Sequence, residues 1–497
     1  MEIQDVVRLQ PRLCLSKVWQ QNISRLYFDN YDLYMRLKAG KYYEKWLALA
    51  LLGSFCLNPF IAHAGFWSIA YYPGWEQAAM PASKIDFTAL THVIHFSIVP
   101  NSDGTLNDSD NGISSANSSD IVSKTHAAGR KVLICIGGSE SESSFQGATS
   151  AANLPLFINN ITNFMASRGY DGVDIDWEPL PSTDAEQYTN FVIALRSALN
   201  QFSEPKLLTA AAGAYPPYGD SATAEYKMYA GLQSAFDQIN IMTYDLSGPY
   251  DGWVTWFNSP IYNGGYRFPS NGNLLPCVDG AVTNFLVNGV NSAKLGIGIA
   301  FYGYLWTDGR GTSPTCITQP RQSWTNAPTA TPIRYSDIMT GYYQTNLYHW
   351  DDAAQAAYLG ITNANPENNI FLSYDDQRTC QAKVSYARNH GLGGIMIWEL
   401  AQDYTPGTTD PLLQAVKQSL ATPGQINLEN NGKNINLEFP SIALGSYRVQ
   451  WTGDLTFSIW STLLITNISE AGGPLLITDF GALTNQTQRF YRVQTPP

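Results

Sequence analysis

The stretch "GYDGVDIDWEP", residues 169–179, carries four acidic side chains, Asp171, Asp174, Asp176 and Glu178, inside an otherwise apolar run. Side chains alternate between the two faces of a β-strand, so Asp174, Asp176 and Glu178 share one face and Val173, Ile175 and Trp177 the other. An apolar face needs a covering layer, and an acidic face that is also enclosed needs a lumen. One strand of a parallel barrel supplies both, with helices outside and the interior inside. Residues on one face stand about 6.6 Å apart along the backbone, near enough for neighbouring carboxyls to meet. Like charges that close and partly desolvated do not both ionise readily, and a carboxyl that keeps its proton near neutrality can act as a general acid. Glu178 ends the run and is expected at the barrel mouth, where barrel active sites lie. A solvated acidic strand would not have an Ile/Trp outer face, and an EF-hand-type calcium loop has a different spacing and a glycine this run lacks. Asp171, at the start of the strand, reads as structural.

Outward from this strand the texture recurs. Apolar runs at residues 67–72, 92–99, 131–137, 172–177, 207–213, 238–244, 294–301 and 393–400 alternate with amphipathic segments. Several are nearly continuous in Val, Ile and Leu, as strands buried on both faces must be. Thr183 and Glu186 form a capping box ahead of a helix whose stripe is Tyr188, Phe191, Val192, Leu195 and Leu199. Gly169 ends the preceding helix, with apolar positions Phe157, Ile161, Phe164 and Met165. Eight such strands predict an α/β fold, a (β/α)8 TIM barrel over residues 65–421. The connection before the last strand is too long for one helix and contains "LYHWDD" and "IFLSYDD", so it is predicted as an α+β insertion at about residues 304–391. Residues 422–497 alternate polar and apolar between Gly-containing turns and predict a small all-β, sandwich-like module with "YRVQ" at 447–450 and again at 491–494. Its Trp451, Phe457 and Trp460 are a sugar-binding surface or core, and the periodicity favours core.

Composition narrows the classes of function. A formal net charge of −12, with 14% charged residues and no basic stripe, argues against nucleic-acid partners. The 29 Tyr, 21 Phe and 13 Trp suit core packing and also the flat faces of sugars. Lys38, Lys41 and Lys45 precede an apolar run at residues 46–55, then Pro59 and the small-x-small triplet Ala62-His63-Ala64. That is the layout of a secretory signal over residues 35–64, cut after Ala64, with residues 1–34 an upstream extension and either Met1 or Met35 the translation start. The run falls short of the about 20 residues that span a bilayer, so an extracellular, monomeric chain without stable membrane insertion is expected. Of the six Cys, Cys14 and Cys56 lie in the removed region. Cys135 reads as a buried free thiol, Cys277 and Cys316 as a candidate disulfide, and no spacing among Cys or His suggests a metal or cofactor.

"DGVDIDWE", residues 171–178, resembles the D-x-x-D-x-D-x-E signature of glycoside hydrolase family 18, the chitinases and related endo-β-N-acetylglucosaminidases. The likeness continues in "AYYPGW", "KVLICIGG", "MTYDLSGPYDGW", "LGIGIAFYG" and "GLGGIMIWELAQDY", and in the insertion in "WDDAAQAAYL" and "FLSYDDQRT", over residues 66–420. It implies that Glu178 protonates the glycosidic oxygen, that Asp176 orients the acetamido group of the −1 sugar, and that Asp174 tunes Asp176 from beneath, with no second carboxylate as nucleophile. It implies too that Tyr244 hydrogen-bonds the acetamido oxygen, Asp245 contacts a sugar hydroxyl or the acid, Trp398 floors the −1 sugar, and Tyr72, Met242 and Tyr302 line the pocket. Trp253, with Trp75 and Trp256, would stack flanking sugars. Two positions depart from the pattern. Cys135 stands where the family has Ser, a weaker hydrogen-bond partner near Asp174, and Tyr304 stands where Arg is frequent, which bears on leaving-side contacts. The implied activity is secreted, endo-acting and retaining hydrolysis of β-1,4-N-acetylglucosamine linkages, with chitin or N-acetylglucosamine oligosaccharides as partners and no cofactor. The alternatives are an endo-β-N-acetylglucosaminidase of N-glycan cores, or a non-catalytic chitin-binding lectin, which the presence of Glu178 disfavours.

Overall fold

Strands that are apolar on both faces must be covered on both, and the computed structural model closes them into a barrel. It describes residues 7–9, 65–214, 220–311, 317–408 and 410–421, and towards the C-terminus 427–441, 446–453, 460–467, 473–482, 484 and 489–494. The chain divides into a larger unit, Phe66–Gly424, and a smaller one that includes Gln425–Pro497.

The larger unit contains β1 (Trp67–Pro73), β2 (His92–Pro100), β3 (Lys131–Gly138), β4 (Gly172–Trp177), β5 (Leu207–Gly213), β6 (Gln238–Met242) and β7 (Leu295–Ala300). An insertion then adds β8 (Tyr302–Thr307), β9 (Thr329–Arg334), β10 (Tyr348–Asp351), β11 (Ala356–Ile361) and β12 (Ile370–Tyr374), before β13 (Gly394–Trp398) completes the barrel. The parallel order is β1-β2-β3-β4-β5-β6-β7-β13, and β13 pairs back onto β1. These are the eight predicted runs.

Helices α1 (Ser115–Ala127), α2 (Glu142–Ala148), α3 (Leu154–Arg168), α4 (Ala185–Leu199), α5 (Asp220–Leu232) and α6 (Val278–Val287) follow in chain order. After them come α7 (Tyr335–Gly341) in the insertion, α8 (Gln377–Asn389) and α9 (Pro411–Ala421). Val173, Ile175 and Trp177 of β4 share one buried cluster with Phe157, Ile161 and Met165 of α3 and with the Tyr188, Phe191, Val192, Leu195 and Leu199 stripe of α4. Gly169 ends α3 in the left-handed conformation, φ 79°, as its position predicts.

Local details differ from expectation. Phe164 is only partly buried and lies under the Arg168 guanidinium. The capping box does not form: Ser182–Asp184 makes a 3-10 turn, and the Asp184 carboxylate accepts from Gln146 Nε2 at 2.8 Å instead of from the helix. The insertion sheet, antiparallel in the order β9-β8-β12-β11-β10, ends at Tyr374. Helix α8 belongs to the barrel, because it buries Cys380, Val384 and Ala387 in the strand–helix layer. Cys277 forms no disulfide; it is a buried free thiol whose Sγ accepts from Gly280 N at 3.3 Å and caps α6. Cys316 lies outside the described residues. Among the described residues no helix is long and apolar enough to cross a membrane.

The smaller unit has a three-stranded antiparallel sheet of Asn427–Asn431, Asn434–Ser441 and Gly473–Asp479. A second sheet holds Ser461–Asn467, Ser446–Thr452, Arg489–Gln494 and the short segment Val7–Leu9. The two "YRVQ" copies pair with each other, Val449 opposite Val493, and Tyr447, Tyr491 and both valines enter the core. Trp451 packs at the edge of that core beneath the Arg489 guanidinium, and Arg492 covers Trp460. Phe457 and, apart from Val7–Leu9, the upstream extension and signal-like segment lie outside the described residues.

Inside the barrel, Trp67 fills the floor. Its indole N–H donates to Asn240 Oδ1 at 3.0 Å, and Gly394 leaves it room, since a Cβ there would stand 2.4 Å from the ring. Higher up, Gly137 of β3 faces Asp176 of β4 with φ +112°, and a Cβ would stand 2.0 Å from the Asp176 carbonyl oxygen. Gly137→Ala is expected to destabilise the chain by about 2 kcal/mol or more, seen as a lower urea midpoint. An unchanged midpoint would contradict this close approach.

Candidate active site

Strand alternation delivers Asp174 and Asp176 to the lumen while their neighbours enter the outer layer, where Trp177 stacks on Phe145 at 4.6 Å. Asp174 is wholly buried and accepts from Tyr71 Oη at 2.9 Å and Thr209 Oγ1 at 2.5 Å, with the Cys135 thiol as a third partner. Burial pushes its carboxyl above the ordinary range, and these donors pull it partly back.

Asp176 comes next toward the mouth. It is 3% exposed, and its Oδ1 has no hydrogen-bond partner among the described residues. Burial, the charges of Glu178 and Asp174, and a hydrogen bond given to Glu178 hold its carboxyl well above the usual carboxylate range. Glu178, partly buried, is also raised, first by burial and then by the charge of Asp245, while the bond from Asp176 opposes the rise. Both carboxyls are therefore shifted toward keeping a proton. The turn beneath is pinned by Ser141, whose Oγ accepts from Glu178 N at 3.2 Å and donates to Asp176 O at 3.3 Å.

The rim is aromatic. Tyr244 packs over Gly298, where a Cβ would stand 2.8 Å from its ring, and its hydroxyl reaches Met396 Sδ at 3.6 Å. Asp245 sits at φ +58°, its N–H donating to Asn258 Oδ1 at 2.8 Å. Its Oδ1 accepts from Tyr302 Oη at 2.6 Å, and Tyr304 adds a second hydroxyl; burial raises the carboxyl against both. Trp398 is half-buried, 5.3 Å from Tyr71 and edge-on to Phe96 at 4.7 Å, and Trp75, 48% exposed, meets Phe96 edge-on at 5.7 Å.

Glu178, Asp176, Asp174, Tyr244, Met242, Tyr302 and Trp398 therefore converge on the lumen and its mouth, with Asp245 beside them. Tyr72 does not. Its ring lies in the outer layer against His95, and its hydroxyl donates to Met80 O at 2.5 Å, because the phase of β1 turns Trp67, Ile69 and Tyr71 inward. Trp256 is fully buried with its N–H on Pro276 O at 2.8 Å, so it is core and cannot stack a sugar. Trp253 packs on Phe268 and Tyr250 in an adjoining aromatic cluster that Tyr304 links to the lumen. Tyr71, Thr209 and Phe96 escaped the sequence reading. Thr209 and Cys135 are the register partners of Asp174 on the two flanking strands, which is the signal that would have found Thr209. Asp171 lies at the opposite end of β4, where Val132 N–H, His126 and Lys131 outweigh burial and hold it below the ordinary range, a structural role. Among the described residues no cluster of His, Cys, Asp and Glu could hold a metal ion.

The sequence profile of the glycosyl hydrolases family 18 matches residues 68–403. Chitinase A1 of Niallia circulans is 31% identical over 320 residues, which cover 60% of this chain and 43% of that relative, so less than half of its length is spanned. Chitinase 1 of Aphanocladium album is 26% identical over 406 residues, 72% of this chain and 86% of that one. Among solved structures, the Group IV chitinase of Ostrinia furnacalis in complex with allosamidin superposes with a TM-score of 0.61 at 23% identity, covering 72% of this chain and 99% of that one. The GH18 chitinase of Cycas revoluta in complex with (GlcNAc)3 gives 0.59 at 21%, covering 71% and 99%. At such identities these two speak to the barrel fold. The profile match runs from the first barrel strand to just past the last, and with it this chain belongs to the glycosyl hydrolases family 18.

Proposed function

We propose that this chain is an exported chitinase that cleaves β-1,4-linked N-acetylglucosamine polymers internally, with retention of configuration and with help from the substrate. The observation that carries the reading is the pair of neighbouring carboxyls, buried Asp176 and part-buried Glu178, set at the mouth end of β4 where burial and neighbouring charge favour keeping a proton. In the first step the proton passes to Glu178, which gives it to the glycosidic oxygen as the anomeric C–O bond breaks, and the acetamido carbonyl oxygen of the −1 sugar bonds to the anomeric carbon. Asp176 faces the resulting oxazolinium ion and balances its positive charge, and Tyr244 holds the acetamido oxygen in line. Water then opens the ring, giving its proton to the Glu178 carboxylate, and two inversions leave the original anomer. Trp398 floors the −1 sugar. Tyr302 and Tyr304, from the first insertion strand, wall one side of the mouth, which favours a long polymer over a compact glycan.

Glu178→Gln is expected to lower kcat on chitin oligomers by about 10²–10⁴-fold with little change in KM, and a fully active variant would overturn the assignment of the acid. Because the working form carries the shared proton, wild-type activity should fall as pH rises through the raised range of this pair, not through the ordinary carboxylate range.

N-acetylglucosamine hexamer followed by NMR should first yield the β-anomer of internal fragments. First appearance of the α-anomer, release of single sugars only, or preference for an N-glycan core assayed alongside would each contradict a part of the reading. For export, the protein recovered from culture medium should begin at Gly65; a mature chain that retains Val7–Leu9 would contradict cleavage after Ala64.

A further inference from the structure

We propose that Lys383, a wholly buried cation on α8, is a positioning residue: through Ser259 it anchors from behind the backbone that presents Tyr244 and Asp245. The inference rests on the reading that those two side chains act on the sugar.

β6 ends at Met242, and the next amide, Thr243 N, turns back onto Ile241 O at 2.8 Å, so the chain leaves the barrel wall here. Thr243 is clamped to β7, its hydroxyl donating to Gly298 O at 3.0 Å and accepting from Gly298 N at 2.8 Å. Its carbonyl accepts the Ser259 hydroxyl, Ser259 Oγ accepts from Lys383 Nζ, and the Asp375 carboxylate is the other partner of that ammonium. Beside this chain, Asn258 N donates to Ser373 Oγ at 2.8 Å, while Asn258 accepts from Asp245 N through its side chain and from Leu246 N through its carbonyl. Asp245 sits in the left-handed region, which a residue with a Cβ adopts only where its surroundings hold it.

Lys383 and Asp375 are 0% and 3% exposed. A buried ion pair adds little stability over an apolar pair of the same size, so stability alone is a weak reason for this one. Here the ammonium donates to a carboxylate from the end of the insertion and to a hydroxyl beneath the loop after β6. That ties α8, the insertion and the loop after β6 into one frame.

Two variants test this without leaving a stranded buried charge. Ser259→Ala cuts the link at almost constant volume. Lys383→Met combined with Asp375→Asn removes both charges and keeps an acceptor for Ala300 N, which now donates to Asp375 at 3.2 Å. Each should lower kcat about tenfold or more with KM within about twofold, and together they should lose little more than the worse of the two. Each should also speed hydrogen exchange in the peptide spanning residues 242–248 by about tenfold, with core peptides unchanged. Wild-type kcat and exchange in both variants, beside an impaired Tyr244→Phe, would overturn the inference. Should Tyr244→Phe itself keep full activity, the catalytic reading falls and exchange decides alone: faster supports the anchor, and unchanged refutes it.

Discussion

Asp174, Asp176 and Glu178 follow one another at every second residue along β4 and just past its end, and closure of the barrel takes the first two wholly and the third partly out of water. Two unit charges about 4 Å apart repel by about 4 kcal/mol at an effective dielectric near 20, equal to roughly three pKa units. Solvent cannot reduce that cost in the lumen, and burial with neighbouring charge raises both Asp176 and Glu178, which favours keeping a proton on the pair. A strand period of two, a closed sheet and like charge are together sufficient to produce a proton donor at the mouth.

The surroundings keep that proton exchangeable. Asp174 is held by neutral donors, Tyr71, Thr209 and Cys135, and not by a cation. An arginine or lysine there would fix a permanent anion and pin its neighbours; hydroxyls and a thiol leave the charge free to rise or fall as protons move. Cys135 is the weakest of the three, and it makes Asp174 less firmly anionic than a serine would. Lys131 braces Asp171 at the far end of β4, and Lys383 braces the loop after β6 from the helix layer. The aromatic side chains Trp398, Phe96, Tyr244, Tyr302 and Tyr304 supply flat apolar faces around this polar centre.

The barrel and its acidic strand were legible because both rest on periodicity. Buried parallel strands are written as continuous apolar runs, and a carboxylate at every second position in such a run has no other explanation as good. Tyr71 and Tyr72 show where that signal ends. β1 is buried on both faces, so neither tyrosine is marked as inward by polarity, and only the register against β13 and β2 sets the phase. The capping box failed because α4 starts at Ala185, which puts Asp184 and not Thr183 at the N-cap, and the Thr183 hydroxyl donates to Asp184 Oδ1 at 3.3 Å instead. The pairing of Cys277 with Cys316 came from loop-like sequence, and spacing carries no information on Sγ distances; Cys277 is a helix cap. The insertion was drawn too long because an amphipathic helix such as α8 reads the same whether it lies on an inserted sheet or on the barrel. In the smaller unit the repeated "YRVQ" marks two strands that pair with each other.

The central claim, a proton shared by two carboxyls, can be measured without substrate. Carbon-13 NMR of protein labelled at Asp Cγ and Glu Cδ, with Asp176→Asn and Glu178→Gln for assignment, follows both groups through pH. Two linked transitions are expected, the upper one well above the ordinary carboxylate range and lost when either partner is neutralised. Two independent transitions in the ordinary range of Asp and Glu, unaffected by replacing the neighbour, would contradict it.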